Sequence, residues 1–151
     1  MTQEQKKYIE ENIHMIEDDN LQEFFIGAPI GTYEILTSAG IDVLTKLSYI
    51  GRSLCANNQQ ITELHIPDNI LKIYYHAFSG CNNLVHITLP KSLEYIDLLV
   101  FAVTPNLHNI LFEGTKQEWR AIHKHHKWRH GSSIHTITCS DGTITFRDVN
   151  K

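Results

Sequence analysis

Residues 61–83 and 84–106 are consecutive 23-residue stretches written in one pattern. ITELHIPDNILKIYYHAFSGCNN is followed by LVHITLPKSLEYIDLLVFAVTPN. At that offset Ile61 falls on Leu84, Leu64 on Ile87, Ile66 on Leu89, Pro67 on Pro90, Ile70 on Leu93, Ile73 on Ile96 and Phe78 on Phe101. The pattern runs on into Leu107, Ile110 and Phe112. A repeat of about 20 to 50 residues marks a solenoid, because a unit so small cannot close a core and must stack on its neighbours. Such an architecture usually binds rather than catalyses.

Each copy reads as one coil. Leu64-His65-Ile66 and Ile87-Thr88-Leu89 alternate apolar and polar, the period of a short strand with one buried face. Pro67 and Pro90 then remove an amide donor and stop the ladder, and Asp68-Asn69 or Lys91-Ser92 supply turn chemistry. Ile70, Ile73 and Phe78, with Leu93, Ile96 and Phe101, point back inward. Stacking in register builds an apolar column that neither copy could make alone, with Phe101 over Phe78 and Leu89 over Ile66. The strands are expected to run parallel, about 4.8 Å apart.

The flanks differ. Tyr8, Ile9, Ile13, Ile16, Leu21 and Phe24 recur at three- and four-residue spacings, so Thr2 to Phe25 reads as one amphipathic helix or as two broken near Asp18-Asp19-Asn20. Thr32 to Ala39 reads as a second short helix ended by Gly40. From Ile41 a degraded copy can be traced, with Ile41 on Leu64, Val43 on Ile66, Leu47 on Ile70, Ile50 on Ile73 and Leu54 on Ala77. Beyond the repeats, Trp119, Ile122 and His126 predict a helix over 116–127 capped by Gly114 or Thr115. Residues 134–146, with Ser140-Asp141-Gly142 between two alternating runs, predict a β-hairpin that covers the open end of the solenoid.

Composition sets the class. At 151 residues, 42% hydrophobic and 20% charged, the chain has the balance of one globular domain and not of a disordered one. The net charge of -4 hides an asymmetry, with acids crowding the first forty residues and Lys116, Arg120, Lys124, Lys127 and Arg129 gathered late. Neither an export signal nor a membrane-length apolar run is visible. Cys55, Cys81 and Cys139 are odd in number and lack metal or redox spacing, so they read as buried, reduced thiols of a cytoplasmic protein.

The segment HIPDNILKIYYHAFSGCNNLVHITLPKSLEYI resembles the BspA-type leucine-rich repeat, in which a strand ending in Ile-Pro precedes an Ile-containing turn and an Ala-Phe-x-Gly-Cys-x-x-Leu run, here Ala77, Phe78, Gly80, Cys81 and Leu84. LFEGTKQEWRAI with the later TCSDGTI is similar to the element that often closes such arrays. The second copy departs from the pattern, having Val100-Phe101-Ala102-Val103-Thr104 in place of Ala-Phe-x-Gly-Cys. SAGIDVLTKLSYI also looks like the lead-in of short phage or prophage members. The resemblance implies an α+β fold: a short leucine-rich-repeat solenoid of about three coils. It has a helical N-terminal cap (1–40), repeats over 41–112 (41–60 degenerate, 61–83, 84–106 and 107–112 partial) and a helix-plus-hairpin C-terminal cap (113–151), all one structural domain. It also implies a non-catalytic, cytoplasmic protein-binding module, an adaptor or inhibitor of a protein partner, which would act in the host cytoplasm if phage-encoded. The alternative is a structural subunit of a phage or surface assembly, which would self-associate.

If strand interiors face the core, the alternate positions form outward columns: His65, Thr88 and Leu111 in one, Glu63, His86 and Asn109 in the other. These six are the candidate contacts for a protein partner. His123, His126 and His130 share a helix face if the predicted helix extends through them, which makes them weak metal candidates opposed by adjacent cations. The same run with Arg120, Trp119 and Trp128 could face nucleic acid, but the indoles are expected to pack on the solenoid end. No catalysis is expected, since phosphate loop, paired carboxylates and Gly-x-Ser-x-Gly elbow are all missing, and no cofactor is expected either. Cys139 and His135, at i and i+4 on a strand, stand about 13 Å apart, too far for proton transfer.

Overall fold

The structure, a computed structural model, describes residues 2–17, 28–29, 32–33 and 44–147. Helix α1 (Gln3–Glu17) begins with a reciprocal cap. Thr2 Oγ1 accepts from the Gln5 amide at 3.1 Å, and Gln5 Oε1 accepts from the Thr2 amide at 2.8 Å, so two otherwise orphaned donors are satisfied. Tyr8, Ile9 and Met15 turn its apolar stripe onto the core. The helices expected after Glu17 lie outside the described residues, apart from Thr32 and Tyr33, both buried.

A 3-10 turn over Leu44–Lys46 leads into the solenoid, which has two sheets. The first holds four parallel strands in the order β1 (Tyr49–Ile50), β3 (Lys72–Ile73), β5 (Tyr95–Ile96) and β7 (His123–Lys124). The second runs β2 (Glu63–His65), β4 (His86–Leu89), β6 (Asn109–Phe112), β8 (Thr136–Cys139) and β9 (Gly142–Thr145), parallel as far as β8, with β9 closing it as an antiparallel hairpin. A third side of turns is stitched coil to coil by backbone bonds such as Cys55 N to Ala77 O (2.8 Å), Phe78 N to Val100 O (3.0 Å) and Val103 N to Gly131 O (2.9 Å).

The 23-residue offset is the register of these ladders. Ile50 pairs with Ile73 and Ile73 with Ile96 in one sheet, and Ile87 pairs with Ile110 in the other. The degraded first copy is therefore a true coil over its described part; Ile41 and Val43 lie outside that part. Ile66, Ile70, Ile73, Phe78, Leu84, Leu89, Ile96, Phe101, Leu107 and Ile110 are fully buried. Phe78 and Phe101 stack at 5.6 Å. Repeat ends are tied as well: Asn83 Nδ2 donates to Gln59 O and Asn106 Nδ2 to Asn82 O, each at 2.8 Å.

Two expectations are corrected at the C-terminal end. The helix predicted over 116–127 is only α2, Lys116–Ala121, capped by Thr115 Oγ1 on the Glu118 amide at 3.1 Å. His123-Lys124 then forms a strand, because its amide side continues the ladder of Tyr95-Ile96. The separation between Tyr95 and His123 is 28 residues, and the extra length houses α2. The solenoid consequently has four rungs in the first sheet rather than about three coils.

A candidate protein-binding face

The outward columns form as the alternation requires. Glu63 lies beside His86 and His65 beside Thr88; Thr88 lies beside Leu111, and His86 and Asn109 immediately precede the paired Ile87 and Ile110. All six predicted contact residues thus share one face. Beyond them the columns continue through Thr136 and Thr138 on β8 and Thr145 and Thr143 on β9, which the 23-residue pattern misses because Asn109 pairs with Thr136 at a separation of 27.

The face is polar, with one apolar knob. Leu111 is 46% exposed among hydroxyl, imidazole and carboxylate groups. Glu63, His86, Ile87, Thr88, Asn109 and Leu111 line an open depression of about 390 Å³. Asn109 Oδ1 accepts from Thr136 Oγ1 at 2.7 Å and Thr138 Oγ1 at 3.1 Å, which fixes the amide in one orientation. His65 Nε2 stands 3.3 Å from Glu113 Oε1, an exposed contact between the first strand of the sheet and the residue that follows the third. The Asn109 amide, held by both threonines, loses little further freedom when a partner binds.

Two other surfaces went unread in the sequence. On the first sheet Tyr49, Tyr74, Tyr95 and His123 form a line of rings with centroids 5.2, 6.1 and 5.6 Å apart. Tyr95 donates its hydroxyl to Asp97 Oδ1 at 3.0 Å, and burial together with that carboxylate holds its pKa above the ordinary tyrosine value. Near the last rung, His108, Arg129, Ser133, His135 and Phe146 are among the residues lining a hollow of about 540 Å³. Arg129 is already committed there, its guanidinium 4.2 Å above the Phe146 ring and its Nη1 donating to Ile134 O.

The histidine run does not assemble a common face. With α2 ending at Ala121, His123 stacks on Tyr95, His126 stacks on His125 at 4.3 Å, and His130 follows in an exposed turn. Among the described residues no group of three or more His, Cys, Asp or Glu converges as metal ligands do. Trp119 and Trp128 are buried, 5.6 Å apart and wedged against Phe112 and Phe101, so neither can stack on a base. Cys139 is buried, and burial first, then Asp141, raises its thiol pKa against the pull of Lys116 and Arg120. His135 Nδ1 meets Ser133 O at 3.1 Å. No described helix is long and apolar enough to cross a membrane.

Comparison with known proteins agrees with this architecture. Residues 36–148 match the family model described as "BspA type Leucine rich repeat region (6 copies)". No curated protein matches the chain. Among solved structures, a leucine-rich cell surface protein of Faecalibacterium prausnitzii A2-165 is similar, with a TM-score of 0.50 and 29% identity over 52% of this chain. The match spans only 21% of that protein. The family match covers well over half of the sequence and falls on the stacked rungs, so the chain belongs to the BspA-type leucine-rich-repeat family.

Proposed function

We propose that the chain is a non-catalytic recognition module that lays an extended segment of a protein partner along the outward columns of the second sheet, and so serves as an adaptor or inhibitor of that partner. The observation that carries this reading is the register: Glu63, His86 and Asn109, and beside them His65, Thr88 and Leu111, repeat on one rigid face. An extended chain also repeats its side chains at a fixed interval, so a ladder of fixed contacts suits it. Under this reading the partner is a protein of the host cytoplasm, as the likeness of residues 38–50 to short phage-encoded members implies.

Replacing His65, His86 and Leu111 together by alanine tests it. The folded triple variant is expected to lose the proteins that the wild-type chain captures, while a Lys72→Ala variant on the first sheet keeps them. Capture unchanged in the triple variant would end the reading.

A second reading, a building block of a surface assembly, draws on the cell-surface description of the F. prausnitzii protein. Mass measured against concentration separates the two. Growth without limit favours the building block, and a closed small species favours the adaptor.

A further inference from the structure

β9 ends the second sheet, and its outer edge has an unusual self-complementarity. The bond from Phe146 N to His135 O at 2.8 Å sets the phase of the hairpin ladder. Gly142 and Ile144, like Phe146, turn their amides and carbonyls toward β8, and Thr143 and Thr145 turn theirs away. Among the described residues no hydrogen bond reaches those outward groups, and both threonines are exposed. Between Asp141 and Arg147 the strand's own residues include none of the charges or prolines with which natural sheets blunt an open strand; one cation, the Lys116 ammonium, lies against Gly142 at the turn end.

We propose that this edge pairs with the same edge of a second copy of the chain, antiparallel about a twofold axis at Ile144. Thr143 then faces Thr145 of the second copy, each amide donating to the other's carbonyl, and the symmetric pair does the same. All the free groups of the two threonines are satisfied, and two five-stranded sheets join into one. Charge selects the register. Centring on Ile144 sets Asp141 against Arg147 of the second copy, and the reverse, whereas a slip of two residues either way loses both pairs. Asp141 Oδ1 accepts from the Lys116 amide at 2.8 Å, which leaves Oδ2 for the guanidinium. The contact is isologous and closes at two copies. It does not depend on the binding face proposed above.

Sedimentation of the full chain over a concentration series tests the pairing. The wild-type chain is expected to pass from monomer to dimer. Arg147→Glu and Asp141→Lys each bring like charges together twice, so each should raise the dissociation constant about tenfold or more. An equimolar mixture of the two restores both opposite-charge pairs and should restore the dimer. Thr145→Pro removes an outward donor without touching the β8 ladder, and should abolish the dimer with no rescue by mixing. Circular dichroism confirms that each variant is folded; should Asp141→Lys not fold, Arg147→Glu and Thr145→Pro decide alone. A monomer at every concentration, an assembly that grows past two copies, or a dimer indifferent to Arg147→Glu and Thr145→Pro would overturn the proposal, as would failure of two folded charge variants to rescue one another.

Discussion

Phe101 lies over Phe78 with ring centroids 5.6 Å apart and planes tilted by only 10°, both side chains being fully buried. The pair sits where the third sides of successive coils meet, with Trp128 packed on Phe101 at 6.1 Å. Phe101→Ala should therefore cost about 3–5 kcal/mol, through lost transfer energy and a cavity that the rungs above and below hold open. Because the rings touch, the double variant with Phe78→Ala should cost less than the two single changes together. Denaturant unfolding of the four proteins of this cycle checks both statements.

Val103 adopts a left-handed backbone with φ 55°, at the position where the preceding coil has Gly80 with φ 76°. A β-branched residue is strained in that region, and Val103, 59% exposed, gains little burial in return. Val103→Gly is expected to stabilise the chain by about 1 kcal/mol, the strain relieved exceeding the entropy glycine adds to the unfolded state. Gly80→Ala should do the opposite, since a Cβ there runs into the Asn57 side chain. Thermal unfolding of both variants measures the sign.

Lys124 Nζ donates to the Trp119 and Ile122 carbonyls at 2.7 and 2.8 Å, and stands 4.9 Å from the Trp119 ring centroid. Removing it in Lys124→Met leaves two carbonyls at the end of α2 without that donor, for an expected loss of about 1–2 kcal/mol at neutral pH. Burial lowers its pKa below 10.5. As pH rises from that lowered value toward 10.5, the unfolded chain holds the proton that the folded chain releases, so wild-type stability relative to the variant should grow. Unfolding curves of the two proteins across that window read the difference.

The Cys139 thiol has its pKa raised above 9.0, chiefly by burial. Native alkylation should be slow near neutral pH and accelerate only as pH climbs past 9.0, where the contribution of this group to stability also falls because the unfolded thiol ionises first. Timed labelling of the native chain, read by mass spectrometry at residue 139, follows it. Rapid labelling at pH 7 would contradict that burial.

Much of this architecture was legible because the 23-residue offset is itself a hydrogen-bonding register. Ile73 aligns on Ile96 and Phe78 on Phe101 in the sequence itself, and with them the six outward residues from Glu63 to Leu111. The histidine segment misled for a physical reason. Trp119 and Ile122 do have helical spacing, but His123-Lys124 is the next rung of a parallel ladder, and pairing with Tyr95-Ile96 outweighs local periodicity. The aromatic line on the first sheet escaped notice because Tyr74 stands one residue beyond β3, so the rings converge across rungs rather than at a single repeat position.

The recognition account is tested most directly by placing a photo-crosslinking residue at Leu111, in the middle of the outward columns, and in a second protein at Lys72, on the other sheet. Irradiation in the presence of proteins captured by the native chain should join them through position 111 and leave position 72 unreacted. Adducts through position 72 with none through position 111 would contradict it.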